Sequence, residues 1–371
     1  MKKTVSVLMA AALCASMIGG CSGSQTAATA ESTTAAGAES ATSSADATTA
    51  AQTKAENKKI EKLNVYFVPS REPEEIVTAT EPLKDMLKTE LGKEGYDIGE
   101  VDITVGTSYE AVGEALSAGT ADIGFIPGGT YALYDDGAEV ILTATRDGLS
   151  KNSDNAKDWN DGKATEATKD QATSYRSLII AGPSEKGQEL AAKINSGEAL
   201  TFEDLDGANW SVMSSSSSAG YIYPSLWLQK NFEKNILNLS HAVQSDSYGS
   251  SFARLASGQV DILCTYADAR RDYEEKWKSE YNRTGSIWEE TSVIGVTPPI
   301  FNDTVSVSKT SKIMDDAFKT AVQTALINIG NTEDGKKVIA IYNHNGYQAA
   351  KSSDYDDERA AQKMIKELNA K

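Results

Sequence analysis

The stretch "MSSSSSAGYIYP", residues 213–224, sets consecutive serines directly ahead of a glycine and two tyrosines. Serine hydroxyls donate hydrogen bonds without carrying charge. A helix beginning just after them adds unpaired N–H groups and a partial positive end, so the combination suits an oxyanion. Ser216, Ser217 and Ser218 are the candidate donors, Gly220 lets the backbone approach, and Tyr221 starts an aromatic helical face. Charge-assisted bonds contribute about 1.5–3 kcal/mol each, so four or five reach the roughly 8 kcal/mol of micromolar affinity without Lys or Arg. Pro224 cannot donate to the Gly220 carbonyl, so the first turn is expected to be loose or the regular helix to start late. Nucleophilic use of Ser217 needs a base, and neither His241 nor His344 stands in a motif with it. A Gly-x-Ser-x-Gly elbow, a Walker sequence and zinc-ligand spacing are all absent, so neither a metal nor a cofactor is expected.

A loop of this kind works only at the end of a strand. Trp210 to Met213 reads as that strand, and Tyr221, Leu226, Trp227 and Leu228 as the helix beyond it. Elsewhere strands are expected at 62–70, 101–107, 121–126 and 139–145. A helix is expected over 80–92 with Pro82 in its first turn, and another over 316–329. Strands alternating with helices imply βαβ units. The chain also repeats itself. Ser108-Tyr109, Leu116, Gly119 and Asp122-Ile123 recur in identical register as Ser247-Tyr248, Leu255, Gly258 and Asp261-Ile262. Two similar α/β lobes follow, with Tyr109 and Tyr248 in equivalent places and a ligand cleft where strand ends and helix starts of the lobes face each other.

"SSSAGYIYP" (216–224) resembles the Ser-Ser-Thr-Ser-Gly-aromatic-Leu-x-Pro anion loop of the phosphonate- and phosphite-binding proteins of ABC transporters. The resemblance extends to "TSYRSLIIAG" (173–182), the Gly-x-Val-Asp segment at 258–261 and "TYADARRDY" (265–273). It implies a two-lobed type II periplasmic-binding fold with mostly parallel sheets, non-enzymatic, its oxyanion on Ser216, Ser217 and Ser218. Tyr109, Tyr175 and Asp268 would close over that ligand, the lobes moving by hinge rotation. Ser218 and Ala219 depart from the pattern, and a polar insertion (148–171) is added. A carboxylate such as Asp268 facing an oxyanion favours a ligand with a P–OH proton or an amino group. Asp268 could instead pair with Arg270 or Arg271 at the surface. For Arg71, Arg146 and Arg176 a solvated surface role is preferred to a phosphate-binding one.

The N-terminus sets the compartment. Lys2 and Lys3, an apolar run from Val5 to Ile18 and Ile18-Gly19-Gly20-Cys21 resemble a lipoprotein signal with its lipobox, Cys21 being the lipid anchor. An Ala/Ser/Thr-rich tether follows. The expected organisation is signal 1–20, lipidated Cys and tether 21–58, lobe one 59–179 plus 293–371, and lobe two 180–292. Only Cys264 then remains in the globular part, so no internal disulfide can form. A formal charge of −17 disfavours nucleic acid as a partner. The expected protein is a monomer, lipid-anchored on the extracytoplasmic face of the cell membrane. It captures a phosphonate, phosphite or phosphate-like oxyanion for the transmembrane subunits of an ABC permease. A ligand-sensing lipoprotein without a transport role and an extracellular hydrolase stand as alternatives.

Overall fold

The computed structural model describes residues 57–369. The signal, Cys21 and nearly all of the tether lie outside the described residues. Among the described residues the strands are β1 (Lys58–Phe67), β2 (Tyr96–Val105), β3 (Ile123–Ile126), β4 (Ala138–Leu149), β5 (Ala167–Ala172), β6 (Ser174–Ala181), β7 (Trp210–Val212), β8 (Ala242–Gln244), β9 (Ile262–Tyr266), β10 (Ser292–Phe301), β11 (Thr304–Ser308) and β12 (Gly346–Ala349). They build two mixed sheets. One runs β12-β4-β11-β3-β1-β2 with β5 on β4, and the other runs β10-β6-β9-β7-β8. The chain leaves the first sheet between β5 and β6 and returns between β10 and β11. β1 is parallel to β2 and β3, and β7 is parallel to β8 and β9, as alternating strands and helices require. Among the described residues no helix is long and apolar enough to cross a membrane.

Local chemistry sets the element ends. Pro82 caps the helix Leu83–Lys93, and Asp315 caps Asp316–Gly330 by accepting from the Phe318 N–H. The repeated segments fold alike. Ser108 and Ser247 accept from the N–H groups of Ala111 and Ser250, each at 3.0 Å, which makes Tyr109 and Tyr248 the first residues of their helices. Gly119 and Gly258 take left-handed φ of 75° and 74° past the helix ends, conformations that a side chain would strain. Asp122 then accepts from Asn64 N and Nδ2 at 2.7 and 3.0 Å, and Asp261 accepts from Asn209 at the same two distances. Each Asp thus ties the start of its own strand to the strand beside it in the sheet, β3 to β1 and β9 to β7. Cys264, the free cysteine among the described residues, is buried in β9.

The insertion at 148–171 forms the β4–β5 hairpin and an excursion that lands on the second lobe. Trp159 is buried there, and Asn160 accepts from Val293 N (2.7 Å) and donates to Val293 O (2.9 Å). A polar loop is ordered because its hydrogen bonds are made to the β10 backbone.

Candidate functional site

The serine segment crosses from β7 into the helix Tyr223–Phe232 through a π-helical turn, Ser218–Ile222. Pro224 is the cause. With no N–H to offer Gly220, it leaves that carbonyl free to accept from Met213 N at 3.1 Å, and the Tyr223 N–H reaches back to Ser218 O. The loop therefore closes on its own strand. Gly220 serves this closure: a Cβ there would stand 2.4 Å from the Met213 side chain, so its close approach is to Met213. Ser217 accepts from Gly220 N at 3.2 Å, with its hydroxyl against the phenols of Tyr248 and Tyr109.

Opposite the loop lies a cavity of about 50 Å³ between the lobes. Of the sequence-predicted residues, Tyr109, Tyr175, Ser217, Ser218 and Tyr248 line it. Tyr248 Oη stands 3.5 Å from Ser217 Oγ, and the Tyr109 phenol lies against the same serine. Burial pushes both phenols above their ordinary range, so they remain neutral donors. The equivalent tyrosines of the repeat thus flank one hydroxyl.

Four candidates are placed elsewhere. Ser216 is buried but faces Thr130, whose hydroxyl donates to its Oγ at 3.2 Å, and Tyr221 packs in the core. Gly220 stands over Met213 as described. Asp268 is the clearest displacement. Its Oδ1 accepts from Arg270 Nε (3.0 Å) and its Oδ2 from Arg270 Nη2 (2.8 Å), with Thr165 of the insertion donating to Oδ2 at 2.8 Å. This pair is buried rather than at the surface, with Arg270 lying 4.7 Å from the Trp288 ring. Asp268 borders instead an adjoining cavity of about 370 Å³, which shares Arg146, Tyr266, Asn343 and His344 with the first.

Two arginines read as solvated surface groups are buried cavity residues. Arg146 Nη2 donates to Asp303 Oδ2 at 2.6 Å, its guanidinium lies 4.4 Å from the Tyr175 ring, and its Nε has no hydrogen-bond partner. Arg71 reaches across the cleft, donating to Asp272 Oδ2 (2.6 Å) and Tyr273 Oη (3.1 Å). Arg176 lies outside the cavity lining, paired with Asp154 and bonded to Asn152 and to the Thr297 carbonyl. Burial alone would raise the carboxyls of Asp303 and Asp272. Arg146 and Arg71 respectively outweigh it and hold each below the usual carboxylate range, so both pairs are charged at neutral pH. Sequence reasoning missed Asp303, Tyr266, Tyr342 and His344, which also line the cavity. His344 sits 3.3 Å from Asp303 Oδ2, and burial lowers its pKa, which keeps the imidazole neutral at pH 7.

In this closed arrangement several hydrogen bonds and an ion pair cross the cleft. Gly129 N donates to Ser218 Oγ at 2.9 Å, Thr130 donates to Ser216, Ser214 donates to Glu110, Ser247 donates to Glu72, and Lys276 pairs with Glu75. The geometry is a small, partly open chamber of hydroxyl donors and aromatic walls, with two arginines already balanced by carboxylates.

A family model described as the periplasmic substrate-binding protein of a phosphonate ABC transporter matches residues 65–355. No curated protein matches the sequence. Among solved structures, a binding component of a phosphonate ABC transporter from Pseudomonas aeruginosa is 17% identical. It has a TM-score of 0.59 over 83% of this chain and 85% of its own. PhnD1 of Prochlorococcus marinus, solved with methylphosphonate, is 14% identical with a TM-score of 0.59, covering 82% and 98%. A Xanthomonas citri protein solved with ATP is 13% identical with a TM-score of 0.58, covering 83% and 99%. At such identities the likeness is one of fold, and the same fold holds a small anion in one relative and a nucleotide in another. The two-lobed architecture is that of the type II periplasmic-binding proteins.

Proposed function

We propose, for a chain that belongs to the phosphonate-binding family of periplasmic substrate-binding proteins of ABC transporters, that it captures a small phosphorus oxyanion by closing its lobes and delivers it to the permease. The family is one of binding proteins and not enzymes, and its members work outside the cytoplasm. The observation that carries the finer reading is the small chamber lined by Ser217, Ser218, Tyr109, Tyr175 and Tyr248. One water needs about 10–15 Å³ of such space, so 50 Å³ takes a few water-sized groups, the bulk of a tetrahedral oxyanion with one small substituent.

Charge narrows the class. Arg71 and Arg146 are matched by Asp272 and Asp303, so the ligand's charge falls mainly to neutral hydroxyls and to the free Nε of Arg146. Asp303, in the lining where Asp268 was expected, favours an oxyanion that brings a proton of its own and disfavours sulfate. Calorimetry against methylphosphonate, 2-aminoethylphosphonate, phosphite, phosphate and sulfate is expected to give micromolar binding of one phosphorus oxyanion. Ser217→Ala should weaken it about ten- to a hundredfold, the worth of one charge-assisted bond. Silence across the panel, or full affinity in Ser217→Ala, would sink this reading.

The lipobox-like Ile18-Gly19-Gly20-Cys21 supports anchoring, with the tether holding the binding domain near the permease. Cys21→Ser should move the protein from the membrane fraction to the medium or periplasm, and retention of that variant at the membrane would refute the anchor.

A further inference from the structure

The C-terminal helix Asp356–Asn369 carries a carboxylate to the back of the serine loop. Glu358 is fully buried, its Oε2 accepts from Ser218 Oγ at 3.2 Å, and its Oε1 has no hydrogen-bond partner. The groups facing it are the Tyr223 phenol and Ser218 from the second lobe, Tyr355 and Gly128 from the first, and the charges of Asp357 and Asp303. Among the described residues no lysine or arginine pairs with Glu358. Arg359, its neighbour on the helix, is drawn away to Asp135 and Asp356.

Ser218 faces the cavity, yet its only hydrogen is given to Glu358, while the oxygen accepts from Gly129 N at 2.9 Å. A hydroxyl has one donor and two acceptor positions. With Glu358 ionised, Ser218 has nothing to give an anion, and a second negative charge stands behind it. With Glu358 protonated, the carboxyl donates to the second lone pair of Ser218, and the serine hydrogen turns to the cavity. All three positions are then filled.

We infer that Glu358 takes up one proton from solvent when an oxyanion binds, and that this proton frees the Ser218 hydroxyl to donate to the ligand. The inference rests on the oxyanion reading above. Burial has already pushed this carboxyl up to about 7, so the proton is available near neutral pH. The sign follows from linkage: the complex holds more protons than the free protein, so affinity falls as pH rises. The fall should be about five- to tenfold between pH 7 and pH 8.

The test is calorimetry of the mature protein with methylphosphonate in phosphate-free buffers of different ionisation enthalpy, at pH 6, 7 and 8, beside Glu358→Gln. The ligand's own proton enters both proteins alike and cancels in the difference. The wild type should take up nearly one proton more than Glu358→Gln at pH 8, and the variant should lose that share of the pH dependence while still binding. A merely structural Glu358 would change affinity without removing a proton. Should Glu358→Gln fail to fold, Ser218→Ala serves instead, since without the hydroxyl the extra proton must vanish. Binding with equal uptake in wild type and variant overturns the coupling alone. No binding at any pH of methylphosphonate or of the other phosphorus oxyanions of the panel, each titrated in the same buffers, overturns the oxyanion reading and the coupling with it.

Discussion

Arg146→Met should bind methylphosphonate at least a hundredfold more weakly than the wild type and melt several degrees lower even without ligand. The side chain is buried, and its Nη2 donates to Asp303 at 2.6 Å. Removing one partner of a buried ion pair costs about 3–5 kcal/mol, because the other charge is left without compensation. That cost falls on the crossing between the two sheets, where Asp303 joins β10 to β11, and on the cavity, where the free Nε of Arg146 is lost as a donor. Arg146→Lys separates the two effects. An ammonium can still neutralise Asp303, but it has no planar fork and no stacking on Tyr175, so stability should recover further than affinity. Acid titration supplies an independent check. Asp303 is held below its ordinary range in the wild type, so its contribution is present above about pH 4 and is lost as pH falls through its lowered value. The gap in melting temperature between wild type and Arg146→Met should therefore close below about pH 4. A variant that melts and binds like the wild type would make Arg146 a bystander.

What the sequence disclosed and what it hid divides along a physical line. The serine loop was legible because its donors are contiguous. Tyr109 and Tyr248 were legible because the Ser-Tyr…Gly-x-x-Asp-Ile register recurs, and the recurrence reflects one joint built twice, down to the Asp122–Asn64 and Asp261–Asn209 bonds. Pro224 announced a disturbed first turn, which became the π-helical turn. The buried charges left no such trace. An arginine destined for the interior is spelled like one on the surface, and the partners of Arg71 and Arg146 lie 201 and 157 residues away. Asp268 misled for the opposite reason: its partner, Arg270, is two residues off. Burial of that pair depends on Thr165 and Trp159 of an insertion that looked like solvent-exposed loop. Glu358 could not be read at all, since its meaning comes from a helix at the far end of the chain packing against a loop 140 residues earlier.

Gly129→Ala should leave each lobe folded and yet bind methylphosphonate about a hundredfold more weakly, because it acts only where the lobes meet. A Cβ at residue 129 would lie 2.3 Å from Ile222 Cδ1, 2.8 Å from the Ser216 carbonyl oxygen and 3.0 Å from Ser218 Oγ, all on the opposite lobe. Ile222 can shift, but the main-chain oxygen is fixed by the strand and the π-helical turn on either side of it. Overpacking of this kind costs about 1–3 kcal/mol, and the main-chain clash puts Gly129→Ala at the upper end. The same methyl group pushes Ser218 away from Gly129 N and so removes the bond that aims its hydroxyl. In the open form the residue meets none of these atoms, so the whole cost is charged to closure and appears as lost affinity. Two measurements separate this from simple misfolding. Circular dichroism and the ligand-free melting temperature should match the wild type, whereas the rise in melting temperature and the fall in radius of gyration on adding methylphosphonate should be seen in the wild type alone. If Gly129→Ala compacts with ligand as the wild type does, the lobes do not close through this contact, and the serine loop must meet its ligand in some other arrangement.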